Sequence, residues 1–473
     1  MAKIHTDFIK PTGDPFIDVG GYVIQHLGER FPDKSIFELI EYATSVYVVQ
    51  WDSKLHSYFL NHPIIQNAYN TNERKIFETL KYYRGLLEET NPEFKTGFCR
   101  MVGSETKLYV AGRKNHMMSA SGAFINFHSA YESGLFLSKE ALIRAFFVPL
   151  GVCFVGDKIA LLQSNFDKVS GYLVAKNVDE NLKNIADGIA GGTLKSEFGI
   201  ISNALFSYAD YCLGNLIIAT SDEEDPVALK DVQLNMYHFT NFGASPDIEL
   251  HTFSNLLFKF YAHCKKTYSN EWNAFINQHY KYSKFKDAQF DEKSQEWYNN
   301  KDRLSYLDYK IWNNPILNKL IKNISIISHL CKWSKKHKFS YDIIEIYCIN
   351  ILKMDKYTIQ KIKELADFIL TDKSDDQIKK SVVRLNGLKS SGEFRGYLIK
   401  LIKDNYEAKN PNSLITLEDY VFYLFPDGTF WKDTRDLLLI AIYQKLHESN
   451  LIIAELSSDE DEENTENEKI ITK

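Results

Sequence analysis

The sequence lacks the short motifs by which the commonest enzymes are identified. It contains no Gly-x-x-x-x-Gly-Lys-Ser/Thr loop, no His-Glu-x-x-His and no Gly-x-Ser-x-Gly, which excludes motif-based assignment of a P-loop, a zinc protease or an α/β-hydrolase site. The pair Gly191-Gly192 lacks the spacing of a dinucleotide fingerprint and predicts a turn. The thirteen histidines form no recognisable hydrolase pattern with acidic residues. We therefore predict a protein that is not an enzyme and has no catalytic residues.

Cysteine is also scarce, and no two cysteines are neighbours. The chain holds six, none of them in a Cys-x-x-Cys pair, so buried free thiols are expected instead of a zinc knuckle or a redox motif. The side chains of Cys99, His116, His128 and Cys153 are of types that bind metals, but nothing in their spacing supports a site. We predict no metal ion and no cofactor.

Long apolar segments are missing as well. The longest run, residues 145–155, is far shorter than the roughly 20 residues that cross a bilayer, and residues 1–10 show no apolar segment of a secretory signal. The 473 residues, 44% of them hydrophobic and 25% charged, indicate a globular protein with more than one domain. We expect a cytoplasmic protein without membrane contact.

Charge is distributed unevenly along the chain. The net charge is −6, and residues 455–473, with eight acidic residues against two lysines, carry all of it. Residues 301–340 and 377–410 are basic and predict a localised surface for a polyanion, although solvated helix faces explain the same charges equally well. The side chains that we predict to contact the phosphates of such a polyanion are Lys332, Lys335, Lys336, Lys379, Lys380, Arg384, Lys389 and Arg395.

The N-terminal part predicts helices mixed with antiparallel strands. Asp14 and Pro15 are typical of a helix start, and the adjacent Gly20 and Gly21 within that helix indicate that another segment packs closely against it.

Strand signals follow further along the chain. The dipeptide Gly156-Asp157 predicts a hairpin between two flanking strands. Residues 216–219 and 232–238 predict further strands, separated by an acidic loop at 222–225, and the strand signals fade beyond Ser254.

The C-terminal part predicts a bundle of four or five helices, because apolar residues recur at helical spacing between short polar links. Thr416 and Asp419 are typical of a capping box. The apolar stripes begin at Ile359, Ile378, Phe394 and Leu439. The predicted fold class is therefore α+β: an N-terminal α+β domain over 1–340, an all-helical bundle over 341–455 and a disordered acidic tail over 456–473.

The segment 107–128 is unusually polar for a core. Lysine and arginine neutralise phosphates, and arginine and asparagine pair with base edges. The candidates for reading the bases of DNA are Lys107, Arg113, Lys114, Asn115, Asn126 and His128. An exposed polar loop between strands is the alternative interpretation.

Residues 12–20, TGDPFIDVG, resemble the N-terminal signature of the large subunits of type I-B CRISPR Cascade complexes, the Cas-eight family. Further resemblances follow in the family's order, up to residue 450. Asn126-Phe127-His128 resembles the family's Asn-Phe step, and Val148-Pro149-Leu150-Gly151 resembles its Pro-Leu-Gly strand. Residues 232–243 resemble a later strand, and Leu424-Phe425-Pro426 with residues 435–439 resembles its small-subunit-like region. Many members carry two Cys-x-x-Cys pairs that form a zinc knuckle. Here Cys99 stands alone near the first pair and residues 134–138 replace the second, so the region 95–150 resembles a degenerate knuckle that cannot build the zinc site.

The resemblance implies the large subunit of a crRNA-guided surveillance complex in antiviral defence. Such a subunit recognises the protospacer-adjacent motif on target double-stranded DNA, supports duplex opening and R-loop formation, and helps recruit the helicase–nuclease effector, while base pairing reads the target. The implied partners are crRNA, target DNA, the backbone and handle-binding subunits, the small subunit and the helicase–nuclease.

Met354 is a candidate internal translation start, because residues 354–473 contain the apolar stripes and the basic stretch 377–410. Two other functions stay open. One is a nuclease or other hydrolase whose acidic residues converge only in the folded chain, and the other is a protein-only scaffold whose acidic tail binds a basic partner.

Overall fold

The computed structural model describes residues 6–51, 55, 58–92, 95–117, 135–188, 197–219, 231–240, 247–281, 287–299, 302–426 and 430–449. The chain divides into two compact units. The mixed unit comprises Met1–Phe258 with Tyr280–Leu317, and the helical unit comprises Lys259–His279 with Asn318–Lys473. The predicted acidic loop at 222–225 and the predicted disordered tail at 456–473 lie outside the described residues.

The mixed unit contains helices and antiparallel strands, which confirms the α+β prediction. Its elements are α1 (Pro15–Arg30), α2 (Ile36–Ser45), α3 (Asn72–Leu87), β1 (Lys95–Phe98), β2 (Glu105–Ala111), β3 (Leu135–Leu137), α4 (Lys139–Gly151), β4 (Cys153–Val155), β5 (Lys158–Ser164), α5 (Asp167–Ala186), α6 (Ile201–Ala219), β6 (Leu234–Thr240) and β7 (Asp247–Phe253). After α7 (Asn255–Thr267) and α8 (Ser269–Gln278) the chain adds β8 (Ala288–Asp291), β9 (Glu296–Asn299), β10 (Asp302–Leu304) and α9 (Tyr306–Tyr309).

The described elements that follow are helical, as predicted. They are α10 (Pro315–Ile321), α11 (Ile327–Lys336), α12 (Tyr341–Asn350), α13 (Lys356–Leu370), α14 (Asp375–Asn386), α15 (Ser391–Glu407), a π-type turn at Asp419–Leu424 and α16 (Trp431–Glu448). The predicted stripes are confirmed, since Ile359, Ile378, Phe394 and Leu439 are all buried. The capping box is also confirmed: the Thr416 amide donates to Asp419 Oδ2 at 2.9 Å, and the Asp419 amide donates to Thr416 Oγ1 at 3.1 Å.

Helix α1 lies against α4, and glycine makes this approach possible. Asp14 caps α1 by accepting two backbone amides, with Pro15 at the first position, as predicted. A Cβ on Gly20 would lie 1.9 Å from the carbonyl oxygen of Arg144, and one on Gly21 would lie 2.8 Å from the guanidinium of the same residue. The close neighbour predicted from the glycine pair is therefore α4.

The four-stranded sheet has the order β4-β5-β6-β7, with every neighbouring pair antiparallel. Gly156, with φ of +60°, starts the turn between β4 and β5, and Val155 faces Lys158 across it. The left-handed conformation is one that glycine adopts without steric cost. The hairpin prediction and the strand prediction for 232–238 are thus confirmed.

Two strand predictions are wrong, because a short apolar run suits a buried helix as well as a buried strand. Residues 216–219 end α6, a helix of 19 residues. Residues 148–151, which resemble a Pro-Leu-Gly strand, end α4. All residues of α4 from Ala141 to Gly151 are buried, so the run reflects a helix that is enclosed on every side.

The sheet of β8, β9 and β10 lies beyond Ser254, where the strand signals of the sequence fade. These strands have three or four residues each, and many of them are polar, so they show little apolar alternation. Phe290 and Trp297 face each other across β8 and β9, with 5.4 Å between ring centroids. Trp297 also contacts Trp312 at 5.5 Å. Aromatic packing compensates here for the short strands.

Residues 259–279 belong to the helical unit through aromatic contacts. The ring centroid of Trp272 lies 5.3 Å from that of Phe260, and the ring centroid of Phe275 lies 5.8 Å from that of Trp333. These contacts join α8 to α7 and α11, well before the predicted boundary at residue 341.

All six cysteines are free, and five of them are buried, while Cys153 is half-buried. Burial raises the pKa of Cys153 to about 11, so this thiol stays protonated near neutral pH. In the part of the chain that the structure describes, Cys99, His116 and Cys153 form no metal-binding group, and His128 lies outside that part. No described helix combines the length and the hydropathy that a bilayer span requires.

Candidate nucleic-acid interface

Helices α13, α14 and α15 enclose a concavity of about 290 Å³, which we call the basic groove. The apolar stripe of α14 is buried through Ile378, Val382 and Leu385. That burial leaves Lys380 and Arg384, one helical turn apart, on the solvent side of the helix. Four cationic side chains line the groove, namely Lys373, Lys380, Arg384 and Lys400, against one carboxylate, Asp404.

The cations of the basic groove are not neutralised by neighbouring carboxylates. Among the described residues, no ion pair involves Lys373, Lys380, Arg384 or Lys400. Arg384 lies over the ring of Tyr397 at 5.9 Å, and Lys373 lies over that of Phe368 at 5.7 Å. Such contacts orient a cation without removing its charge. The groove is therefore suited to bind an anion.

The floor of the basic groove is apolar and closed. Tyr397 is 2% exposed, and its hydroxyl lies 2.7 Å from Ser381 Oγ. Burial raises the pKa of Tyr397, so the phenol is neutral at physiological pH. Since the ring is covered, it offers no face for a nucleic-acid base to stack on.

The predicted phosphate-binding residues do not all meet in the basic groove. Lys380 and Arg384 line it, whereas Lys389 and Arg395 are exposed but do not. Arg395 lies over the ring of Phe425 at 5.1 Å. Lys379 is half-buried on α14 and does not line the groove. The residues Lys332, Lys335 and Lys336 lie on α11 and do not line the groove either.

Lys373 and Lys400 line the groove but are not among the residues predicted from the sequence. Lys373 precedes the start of α14, where the Gln377 side chain accepts the Ser374 amide at 3.0 Å. Lys400 lies on α15. The signal in the sequence is the i, i+4 pair of Lys380 and Arg384, but only helix packing brings cations from three segments together.

In the mixed unit, Arg113 and Lys114 are exposed at the rim of a concavity of about 720 Å³, in the turn after β2. The backbone carbonyl of Arg113 accepts the amide of Leu60 at 3.0 Å, so the turn is held in place while both cationic side chains reach solvent. Asn126 and His128 lie outside the described residues.

Lys107 and Asn115 have structural partners. Lys107 lies on β2 and pairs with Glu89 at 3.0 Å. Glu89 also pairs with Lys139, and the hydrogen bonds from Lys139 and Lys107 lower its pKa to about 2. Asn115 is 6% exposed, and its amide donates to Tyr82 Oη at 2.7 Å and to the Val110 carbonyl at 3.1 Å. Both N–H groups of this buried amide are used within the fold, so Arg113 and Lys114 are the better candidates.

Met354 lies between α12 and α13, and its amide donates to the Cys348 carbonyl at 3.0 Å. Helices α13 to α16 follow it. The internal translation start at this residue stays a prediction.

The comparisons with known proteins concern the same C-terminal region. Residues 332–470 match the family described as the DevT C-terminal domain. This domain is found in CRISPR-associated proteins of the Cascade type, and the match is compatible with a Cascade subunit. No curated protein matches the chain.

Proposed function

We propose that this chain is the large subunit of a crRNA-guided type I-B Cascade complex, and that its basic groove holds the sugar–phosphate backbone of DNA during R-loop formation. One observation carries the proposal: the four cations of the groove, Lys373, Lys380, Arg384 and Lys400, all lie within residues 332–470, the part that matches the DevT C-terminal domain.

The chemistry of the groove favours phosphate contacts over base reading. Each lysine or arginine that neutralises a phosphate releases condensed counterions, and this gain does not depend on sequence. The covered ring of Tyr397 cannot stack on bases. Sequence-independent binding suits a complex in which the guide reads the target by base pairing.

The duplex carrying the protospacer-adjacent motif binds instead at the turn of Arg113 and Lys114 in the mixed unit. Arginine can donate two hydrogen bonds to the O6 and N7 atoms of guanine in the major groove. Cleavage is then left to the recruited helicase–nuclease, and this chain breaks no bonds. Its partners are crRNA, the backbone and handle-binding subunits, and the small subunit.

The test compares two double variants that lose the same charge. Lys380→Ala/Arg384→Ala removes two cations from the basic groove, and Lys403→Ala/Lys409→Ala removes two exposed cations of the same region that do not line it. Affinity for single-stranded DNA is measured over a range of salt concentrations. We expect the groove variant to bind more weakly, with the slope of log K against log salt reduced by about 0.7 per lost contact.

The control variant should retain the wild-type slope. Equal losses in both variants would indicate a diffuse charge effect and would contradict the groove assignment. Copurification tests the complex itself: the chain should be recovered with a defined small RNA and several partner proteins. Recovery without RNA would overturn the Cascade proposal.

A further inference from the structure

Strands β6 and β7 bring together two histidines and a glutamate that are far from each other in the chain. His238 on β6 faces Glu249 on β7, and His251 is two residues beyond Glu249. Directly opposed residues, and residues two apart on one strand, lie on the same face of a sheet. One ligand atom from each of the three side chains lies within 4.8 Å of the other two.

The hydrogen bond of His238 determines which of its nitrogens is available. Nε2 lies 2.9 Å from the carbonyl oxygen of Val155. A carbonyl only accepts, so Nε2 carries the proton and Nδ1 keeps its lone pair. His238 is 8% exposed, and among the described residues none donates a hydrogen bond to Nδ1. Buried polar atoms are normally hydrogen-bonded, so an Nδ1 acceptor without a donor is unusual.

His251 has a second nitrogen of the same kind. Its Nε2 is buried and makes no hydrogen bond of good geometry in the described part of the chain. Oε2 of Glu249 lies 3.2 Å from this nitrogen. Two buried imidazole nitrogens and a carboxylate oxygen thus converge on one point of the sheet.

We propose that His238, Glu249 and His251 bind a divalent transition-metal ion, with Zn²⁺ as the best match. Two imidazoles and one carboxylate form a donor set typical of zinc sites with three protein ligands, which leave one position for water. A histidine that binds a metal through one nitrogen usually donates the N–H of its other nitrogen to a carbonyl or a carboxylate. The Val155 carbonyl accepts such a hydrogen bond from His238. Calcium and magnesium prefer oxygen ligands and suit this set poorly.

The surroundings allow an ion to enter. The side chain of His251 is 24% exposed and that of Glu249 is 50% exposed, whereas His238 forms the buried floor. Lys158 is the neighbouring cation: its Nζ lies 2.6 Å from Asp247 and 3.4 Å from Oε1 of Glu249. Asp247 offsets the lysine charge, so the group keeps a net negative charge for the metal.

The expected role of the ion is to hold an edge strand. In the order β4-β5-β6-β7, β7 lies at one edge of the sheet, and Asp247–Leu250, its first four residues, are exposed. An ion bridging His238 to Glu249 and His251 would tie β7 to β6 from the sheet surface. This role is independent of the proposed nucleic-acid binding.

The full-length chain, stripped with a chelator, is titrated with Zn²⁺, and with Co²⁺ as a spectroscopic probe. We expect one equivalent of Zn²⁺ to bind and to raise the melting temperature. His238→Gln and His251→Gln should weaken the affinity at least about 100-fold, because each removes a direct ligand. His26→Gln is the matched control, since His26 lies 2.9 Å from Asp179 without a third ligand in the described structure, and it should bind Zn²⁺ like the wild type.

If the histidine variants fail to fold, Glu249→Gln provides the test instead. It changes a half-exposed side chain, so the variant should fold, and its Zn²⁺ affinity should be lower than that of the wild type. Failure of the wild type to bind Zn²⁺, or equal binding by the ligand variants, would overturn the proposal. A thiolate-to-cobalt charge-transfer band would place the ion on cysteines and would overturn it as well.

Discussion

Arg144 of α4 and Asp18 of α1 form a buried ion pair, with 2.8 Å between Nη2 and Oδ1. The guanidinium also donates to the carbonyl oxygens of Ile17 and Lys10, and the carboxylate also accepts the Thr12 amide at 2.8 Å. Burial lowers the pKa of Arg144, while the Asp18 charge opposes this shift. The pair therefore joins α4 to α1 and to the segment before it.

The variant Asp18→Asn should be strongly destabilised, because it leaves a buried guanidinium without its counter-charge. We expect a loss of about 3–5 kcal/mol in the free energy of unfolding, measured with urea. Glu407→Gln is the control, since the exposed pair of Lys403 and Glu407, 3.5 Å apart, should contribute below about 0.5 kcal/mol. Similar losses of unfolding free energy in the two variants would show that the buried pair contributes no more to stability than the exposed pair.

The variant Gly20→Ala should also destabilise the chain, because the added methyl group would collide with the Arg144 carbonyl. Overpacking of this kind costs about 1–3 kcal/mol, and a contact of 1.9 Å with a backbone oxygen should lie at the upper end, above the helix-propensity gain of about 1 kcal/mol for replacing glycine by alanine. At Gly214 of α6 a Cβ would meet nothing within 4 Å, so Gly214→Ala should be neutral or stabilising. Thermal unfolding of both variants distinguishes packing from propensity, and a stable Gly20→Ala protein would refute the close α1–α4 contact.

His62 should make stability depend on pH. Its ring is buried beside Phe146 and Tyr83, and burial lowers its pKa to about 3, whereas an unfolded histidine has a pKa of about 6.5. Between these values the unfolded chain binds more protons. The contribution is complete above pH 6.5 and is lost as the pH falls toward 3, by about 1.4 kcal/mol per pH unit.

The measurement for His62 is the slope of the unfolding free energy against pH between about pH 6 and 4.5, a range that lies between the folded and unfolded pKa values of this histidine. His62→Gln should flatten this slope, whatever its effect on absolute stability. His26→Gln is the control, because it leaves His62 unchanged and should keep the part of the slope that His62 causes. An unaltered slope in His62→Gln would show that another group dominates the acid response.

Arg113 and Lys114 should affect motif choice. In the assembled complex, Arg113→Ala is expected to reduce discrimination at one base pair by about 1–3 kcal/mol, measured by binding to a library of duplexes with varied motifs. Lys107→Ala, which breaks the pair with Glu89 on β2, is the control and should leave the preference unchanged. Asn115→Ala should lower stability instead, because its amide holds the turn. Unchanged preference in both Arg113→Ala and Lys114→Ala would refute motif reading at this turn.

Sequence patterns predicted the features that depend on neighbours along the chain. The stripe beginning at Ile359, the cap of α1 at Asp14 and the hairpin at Gly156 each follow from local spacing, capping or turn chemistry. Patterns failed where one local signal fits two structures, as at residues 216–219, where a β-branched pair ends a long helix. They also failed at β8 and β9, which are short and polar and pack through the contact of Phe290 with Trp297.

The amino-acid sequence by itself determined the α+β composition, the helical C-terminal region and the concentration of positive charge within it, because hydrophobic period and charge are properties of a chain segment. Only the tertiary structure decided which cations share the basic groove, that Asn115 is buried in a turn, and that His238 meets Glu249 and His251. Each of these depends on helix packing or strand register, which bring together residues that local spacing does not relate.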